Sequence, residues 1–482
     1  MARFPKRKTK IVVTLGPASC SREVIAQLIE AGMDVARLNF SHGTYEAHSE
    51  VLQLVREESE RQGRFVAVFQ DLCGPKVRIG QFEEGEVELK AGERISLRYA
   101  TGDKGTAKLL FVEAFDPVKV IKPGEKALLA DGRIEIVAEK VTDIEVECVV
   151  KSGGLIRSRS GISVPESKLD LACVTDKDRK DVLWAIENKL DYVAISFVGS
   201  EKDVFELRAY MDEHGGRIPI ISKIERAQSL DHITAIIEAS DAAMVARGDL
   251  GLELPLERVP SAQRLIIETS NFNGTPVITA TQMLMSMVKE IRPTRAEVTD
   301  VTTAVRDGTD AVMLSDETAV GAHPVEAVKM LDRILLEAEK EFHLERYKPR
   351  LKGSDREKVA DAICYAACNA ADKISATALV ACTQSGYTAR LMSKYRPQQT
   401  LFGATTDVRA LHRMAPYWGV EPVYLKLDDE SSTEDEVNQA MLAVREQYGI
   451  KPGSRVVITA GLRAKRTGST SVLEIREIPR TR

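Results

Sequence analysis

Short apolar runs that end in polar residues, each followed by a stretch of helical periodicity, recur along this chain. They are KIVVTLGP at 10–17, DVARLNFSH at 34–42, FVAVFQDL at 65–72, YVAISFV at 192–198, PIISKIE at 219–225, AAMVARGDL at 242–250, PVITATQM at 276–283 and AVMLSDET at 311–318. Amphipathic segments such as SREVIAQLIEAG, KDRKDVLWAIENKL and SAQRLIIETSNFNG lie between them, so strand and helix alternate. That alternation calls for parallel strands joined by helical crossovers. Eight strands predict an α/β fold closed as a (β/α)8 TIM barrel. Periodicity alone leaves an open doubly wound sheet as the alternative.

The spacing breaks once, between Leu72 and Tyr192. Inside the gap, VELKAGERISLRY, KALLADGRIEIVAEKV and IEVECVVKSGG read as short, partly alternating strands divided by Gly, Pro and Asp turns. They predict a small all-β domain, a β-barrel lid, carried on a barrel loop. Beyond residue 352 the alternation resumes in a separate unit, from the helix VADAICYAACNAADKIS to the strands RVVITAG and SVLEIREI. The domain reading is barrel 1–76, inserted lid 77–171, barrel again 172–352, and a C-terminal α/β domain 353–482.

A length of 482 residues agrees with several domains. With 44% hydrophobic and 29% charged residues, the balance is that of a folded protein rather than a disordered or coiled-coil one. Lysine plus arginine number 67 against 72 acids, a net charge of -5. With no global positive field, nucleic acid is not an expected partner. No run of eighteen apolar residues predicts a membrane span. The basic opening MARFPKRKTK lacks the apolar core and cleavage pattern of a secretory signal, so the expected location is cytoplasmic. Seven scattered cysteines without a C-x-x-C pair read as reduced and mostly buried.

In a β/α barrel the loops after the strands converge on one mouth, which makes the run ends candidate site positions. They supply Arg37, Asn39, Ser41 and His42, then Asp71, Lys223 and Glu225, Arg247 and Asp249, Thr279 and Thr281, and Ser315 and Glu317. Glu225 and Asp249 on adjacent strands offer hard oxygens suited to Mg²⁺, which keeps several waters and takes one or two carboxylates plus substrate phosphate. Ion pairing with Lys223 or Arg226 is the competing reading. Lys223 and Arg37 suit stabilisation of a transferring phosphoryl group. RGDLG places Gly248 where a strand gives way to a loop, so backbone N–H groups there suit a small anion such as a carboxylate.

The same strings resemble the signature segments of the pyruvate kinase family: TKIVVTLGPAS at 9–19, VARLNFSHG at 35–43, GPKVR at 74–78, ISKIERAQ at 221–228, MVARGDLGLELP at 244–255, ITATQMLMSM at 278–287, RPTRAEVTDV at 292–301 and MLSDETA at 313–319. The resemblance implies transfer of phosphate from phosphoenolpyruvate to ADP, giving pyruvate and ATP in the last step of glycolysis, with Mg²⁺ (or Mn²⁺) required. It implies that Glu225 and Asp249 ligate the metal and that Lys223 and Arg37 neutralise the phosphoryl group in flight. Thr281 with the Gly248 and Asp249 amides is then expected to hold the substrate carboxylate, and a hydroxyl-linked water route involving Thr281 and Ser315 to protonate the enolate. Pro17, Asn39, His42 and Arg78 match nucleotide-facing positions, and the lid is expected to close over the mouth. A homotetramer is implied by the resemblance alone.

Three departures carry information. Where many family members have D-T-K-G-P-E and a K⁺ ion near Asn39, Ser41 and Asp71, this chain has Asp71, Leu72, Cys73, Gly74, Pro75 and Lys76. The Lys76 ammonium is read as replacing K⁺, so activity is expected without it. The lid segment K-G-V-N-L-P-G appears as Ser160 to Glu166 without its lysine, leaving Arg157, Arg159 or Lys168 to compensate. Asp316 stands where glycine or alanine is common. In the C-terminal domain Thr383, Gln384, Ser385, Gly386, Tyr387 and Thr388 form a strand-to-helix turn suited to a phosphate. It resembles an effector loop for a phosphorylated sugar or AMP, with Arg463, Lys465 and Arg466 as added charge. Metal-dependent lyases and aldolases acting on pyruvate enolates share the acid pair and form the rival enzyme class. A catalytically dead binding protein is disfavoured because Arg37, Lys223, Glu225, Asp249 and Thr281 are all present.

Overall fold

The computed structural model describes residues 7–167, 169, 171–341, 354–428, 431–461 and 470–480. All eight apolar runs are strands: β1 (Lys10–Leu15), β2 (Val35–Asn39), β3 (Ala67–Asp71), β4 (Tyr192–Ile195), β5 (Ile220–Ile224), β6 (Ala242–Ala246), β7 (Val277–Ala280) and β8 (Ala311–Leu314). They pair in parallel in chain order, and β1 pairs with both β2 and β8, so the sheet closes and the open-sheet alternative falls. Alternate residues face inward and outward, the geometry of a pleated strand. In β6, Ala242 and Met244 join the barrel interior while Ala243 and Val245 pack against the outer helices. Caps delimit those helices: Thr294 and Glu297 form a reciprocal capping box at Arg295–Asp307, which ends at the left-handed Gly308.

Between β3 and β4 lies the β-rich unit. Its main sheet runs in the order Ile162–Ser163, Lys126–Leu129, Ile134–Val141, Val146–Ser152, Arg94–Tyr99 and Leu109–Val112 around an apolar cluster of its own. It is not purely β, because Asp116 caps a single helical turn at Pro117–Val120.

The C-terminal unit holds a five-stranded sheet of β9 (Ala378–Cys382), β10 (Thr400–Thr405), β11 (Val420–Tyr424), β12 (Arg455–Gly461) and β13 (Thr470–Glu477), in the order β11-β10-β9-β12-β13. Sequence periodicity missed the short helix Val408–Met414 and strand β11. β11 carries Pro422, which lacks a ladder donor and is tolerated because the strand is an edge. Cys20 is exposed, Cys73 half-buried and the other five cysteines buried, all as free thiols. Among the described residues no helix is long and apolar enough to cross a membrane.

This unit covers the barrel at the starts of the strands. Arg396 is fully buried, with Nη1 2.6 Å from Asp310 Oδ1, Nη2 2.6 Å from Asn271 Oδ1 and 2.9 Å from Gly308 O. Lys10 Nζ donates to Val420 O at 2.7 Å, and the Tyr192 hydroxyl to Arg413 O at 2.6 Å. The opposite mouth, at the strand C-termini, is left for the lid.

Candidate active site

The mouth is built around a buried carboxylate, Asp71, at the end of β3. Arg37 at β2 donates through Nε to Asp71 Oδ2 at 2.7 Å and through Nη1 to Thr14 Oγ1 at 3.0 Å. Lys223 at β5 stands 3.1 Å from Asp71 Oδ1, 2.9 Å from Glu225 Oε1 and 2.8 Å from Ser196 Oγ. Ser196 in turn donates to Leu72 O at 2.7 Å, and the Phe197 amide to Glu225 Oε2 at 2.7 Å. One carboxylate therefore orients both cations. Burial pushes the Asp71 carboxyl up, but Lys223 and Arg37 outweigh it and hold it below the ordinary aspartate range. Burial likewise works against the Lys223 ammonium, and Asp71 and Glu225 overcome it, so Lys223 stays charged.

Glu225 is the opposite case. Burial raises its carboxyl, Lys223 opposes the shift, and the like charge of Asp249 adds to it, leaving it above the ordinary range. Two carboxylates held close at a cost suit a cation. A pair of carboxylates suits a metal that keeps much of its water shell; among the described residues no group of three or more His, Cys, Asp or Glu is placed to hold a metal ion. The ion pair of Lys223 with Glu225 that competed with the metal reading is present, whereas Arg226 turns to Leu169 O at 3.0 Å.

Gly248 is not in a loop. β6 runs directly into the helix Arg247–Glu253, of which Gly248 is the second residue and Asp249 the third. The Gly248 amide donates to Thr281 Oγ1 at 2.8 Å. Thr281 sits at φ +69, an outlying conformation for a β-branched residue. Arg247 holds it there, donating to Thr281 O at 2.7 Å and anchored on Asp300 at 2.7 Å. Arg247 is thus a clamp rather than a mouth residue. Thr279 is buried against Thr309, 2.9 Å away. Glu317 takes the amides of Leu284 and Ser315 at 3.0 and 2.7 Å, tying the β7 and β8 loops together. The Ser315 hydroxyl is buried with no hydrogen-bond partner, and Asp316 is exposed at the start of the helix Asp316–Ala319.

Asn39 Oδ1 accepts from the Ser41 amide at 3.2 Å; Pro17, Ser41 and His42 are exposed, and His48 contacts His42 O at 2.9 Å. Arg78 donates to Arg159 O in the lid at 2.9 Å. Lys76 is drawn to the lid as well: its ion pair is with Asp131 at 3.5 Å, not with Asn39, Ser41 or Asp71. A cleft between lid and barrel is lined by Lys76, Asp131, Phe197, Arg226, Asp249 and Glu253, among others. In the C-terminal unit Gly386 takes φ +83 and donates to Thr383 Oγ1 at 3.1 Å, Thr388 bonds Thr470 at 2.6 Å, and Gln384, Ser385 and Tyr387 are at least partly exposed. Arg463, Lys465, Arg466 and Lys168 lie outside the described residues.

Sequence reasoning missed Thr14, Ser196 and Asp131. Ser196 carried a signal, being the one aliphatic hydroxyl in the run YVAISFV and lying at its polar end.

A closed β/α barrel with a cation pair on one carboxylate, an acid pair beside it and a β lid above defines a class, the barrel phosphotransferases. The family model for the pyruvate kinase barrel domain matches residues 6–328 and that for the pyruvate kinase alpha/beta domain residues 361–476. The chain is 42% identical to the pyruvate kinase of Geobacillus stearothermophilus, over 98% of this chain and 81% of the relative. It is 37% identical to that of Clostridium acetobutylicum, over 98% and 100%. A pyruvate kinase structure from Cryptosporidium parvum superposes with a TM-score of 0.92 at 34% identity, covering 98% of this chain and 97% of the other. The chain belongs to the pyruvate kinase family, phosphotransferases rather than lyases or aldolases.

Proposed function

We propose that this chain moves the phosphoryl group of phosphoenolpyruvate to ADP with Arg37 and Lys223 as its charge-neutralising catalytic pair. The observation that carries the reading is the Lys223 ammonium held between Asp71 and Glu225 at 3.1 and 2.9 Å, on the same carboxylate that orients Arg37. The bond from phosphorus to the enol oxygen breaks, one to the terminal oxygen of ADP forms, and charge passes from the phosphoryl oxygens to the enolate oxygen. Preorganised cations beside that path stabilise the charge without reorganising at the moment of transfer. Thr281 and the Gly248 and Asp249 amides, grouped at the helix start, hold the substrate carboxylate. A water route linked through the hydroxyls of Thr281 and the buried, unpartnered Ser315 delivers the proton to the methylene carbon of the enolate, each hydroxyl regaining from water the proton it passes on, which completes pyruvate. Glu225 and Asp249 hold Mg²⁺, or Mn²⁺ in its place, which adds charge neutralisation at the phosphoryl oxygens when bound.

Pro17, Asn39, His42 and Arg78 face the nucleotide. The Lys76 charge removes the need for K⁺, although its ion pair points it toward the lid. The 383–388 turn takes a phosphorylated sugar or AMP as effector. We place the domain limits at 76/77, 171/172 and 352/353, and read the protein as a cytoplasmic homotetramer. The test is the initial rate of pyruvate formation from phosphoenolpyruvate and ADP with Mg²⁺, in paired buffers with K⁺ or a large inert cation. Equal rates support the reaction and the Lys76 charge in place of K⁺, and activity in K⁺ alone removes only that replacement. No pyruvate in either, with candidate effectors present, overturns the assignment.

A further inference from the structure

The lid segment at Ser160–Gly161 carries no lysine. Arg157 pairs with Glu86 at 3.3 Å, and the carbonyl of Arg159 is taken by Arg78. A cation nevertheless reaches this segment from the barrel side. The Lys76 side chain lies along it so closely that a Cβ on Gly161 would fall 3.4 Å from Lys76 Cε. Its ammonium projects into the cleft toward Asp131, 3.5 Å away.

Asp131 is held by a strained turn. Ala130, Asp131 and Gly132 take φ of +52, +56 and +80 in succession, and two of these are residues for which that region is uncommon. The turn is pressed onto the helix Arg247–Glu253: a Cβ on Gly132 would stand 2.8 Å from Leu252 Cδ2. The docked turn thus places one carboxylate opposite Lys76, beside the helix that carries Asp249. The pair itself is loose and open, with 33% of the Lys76 side chain and 66% of the Asp131 side chain exposed. Such a pair contributes little to stability. A phosphate, with more charge and several acceptor oxygens, displaces a carboxylate from it readily.

We propose that Lys76 is a phosphate ligand of the nucleoside diphosphate and that Asp131 is a positioning carboxylate, holding the ammonium in the cleft until the diphosphate takes its place. This rests on the phosphotransferase reading above. It assigns the diphosphate rather than phosphoenolpyruvate because Arg37 and Lys223 already serve the transferring phosphoryl group.

The experiment is steady-state kinetics of wild type, Lys76→Met and Asp131→Asn, varying ADP and phosphoenolpyruvate separately, in K⁺ and in a large inert cation, with calorimetric titration of each protein by Mg²⁺-ADP. The expected result for Lys76→Met is a rise of about tenfold or more in KM and Kd for ADP in both salts, the scale of a lost charge-assisted hydrogen bond. The KM for phosphoenolpyruvate then changes far less. Asp131→Asn, which frees the ammonium, tightens ADP by about two- to threefold, and the double variant behaves as Lys76→Met. ADP affinity unchanged in Lys76→Met overturns the inference, as does a rise confined to phosphoenolpyruvate or one cured by K⁺. A wild type that binds ADP yet forms no pyruvate counts against the phosphotransferase reading alone. The calorimetric contrast between wild type and Lys76→Met still decides the Lys76 assignment.

Discussion

Lys223 and Glu225 lie two residues apart at the end of β5, and their charged atoms meet at 2.9 Å. A strand sends residues at i and i+2 to the same face, so this contact is dictated by the spacing in ISKIE. Removing Lys223 leaves Asp71 and Glu225, both buried, short of their shared counter-charge.

Lys223→Met is therefore expected to lower turnover by about a thousandfold or more, the range for lost electrostatic preorganisation. It is also expected to lower the melting temperature in EDTA and to recover more of it on Mg²⁺ addition than wild type does, because a cation at the acid pair relieves the repulsion. Turnover within tenfold of wild type removes Lys223 from the chemistry. A melting temperature indifferent to Mg²⁺ in both proteins argues against the metal at Glu225 and Asp249.

Lys76→Glu places a fourth carboxylate in a cleft that already holds Asp131, Asp249 and Glu253. The expected outcome is an enzyme whose turnover at saturating Mg²⁺-ADP depends on K⁺, measured by titrating KCl against a constant ionic strength of the inert cation, while its weakened ADP affinity is left uncorrected. Equal activity with and without K⁺ sinks the charge-replacement idea.

The barrel was legible because each strand is a short apolar run and its polar terminus marks the mouth; β11 was not, because Pro422 and a brief helix before it mimic a loop. At the site, Arg37, Asp71, Lys223 and Glu225 announced themselves as charges ending apolar runs. Thr14 and Ser196 stayed hidden, since a hydroxyl inside a run looks like any half-polar core residue until its partner is located. Arg247 and Glu317 misled in the other direction: both end runs, but one clamps the Thr281 backbone and the other ties two loops through their amides. Asp131 was out of reach because its role depends on a lid turn docking across a cleft, a contact between segments far apart in sequence.

Asp34 closes the strand starts near the C-terminal unit, accepting from the Ile11 amide at 2.8 Å and pairing with Arg7 at 2.9 Å. Burial pushes its carboxyl up, but Arg7, Lys10 and Arg64 outweigh burial and hold it below the ordinary value. A carboxyl lowered on folding contributes stability that is complete above its unfolded value, about 4, and is lost as pH falls through the lower folded value. Asp34→Asn is expected to melt well below wild type at pH 7 and pH 6 alike, with the gap closing only below about pH 4. A gap that closes between pH 7 and 6 contradicts this assignment.

Arg396 is the deepest tie between the C-terminal unit and the barrel, and its value follows from what each of its partners does. Asp310 Oδ1 takes Arg396 at 2.6 Å while Oδ2 takes the Val277 amide at 2.9 Å, so one carboxylate joins the guanidinium to the start of β7. The guanidinium also stands 5.0 Å from the Trp418 ring centroid, within reach of a cation–π contact. Breaking one side of a buried pair costs about 3–5 kcal/mol, because the remaining charge is left uncompensated. Arg396→Met should therefore lower the first calorimetric unfolding transition by about 5–10 °C. Arg396→Lys, which keeps the charge and loses the bonds of the planar fork to Asn271 and Gly308, should fall between wild type and Arg396→Met. The double variant Arg396→Met with Asp310→Asn should be more stable than Arg396→Met alone, since it removes the stranded carboxylate. If all of these proteins share one transition temperature, the clamp contributes nothing to holding the two units together.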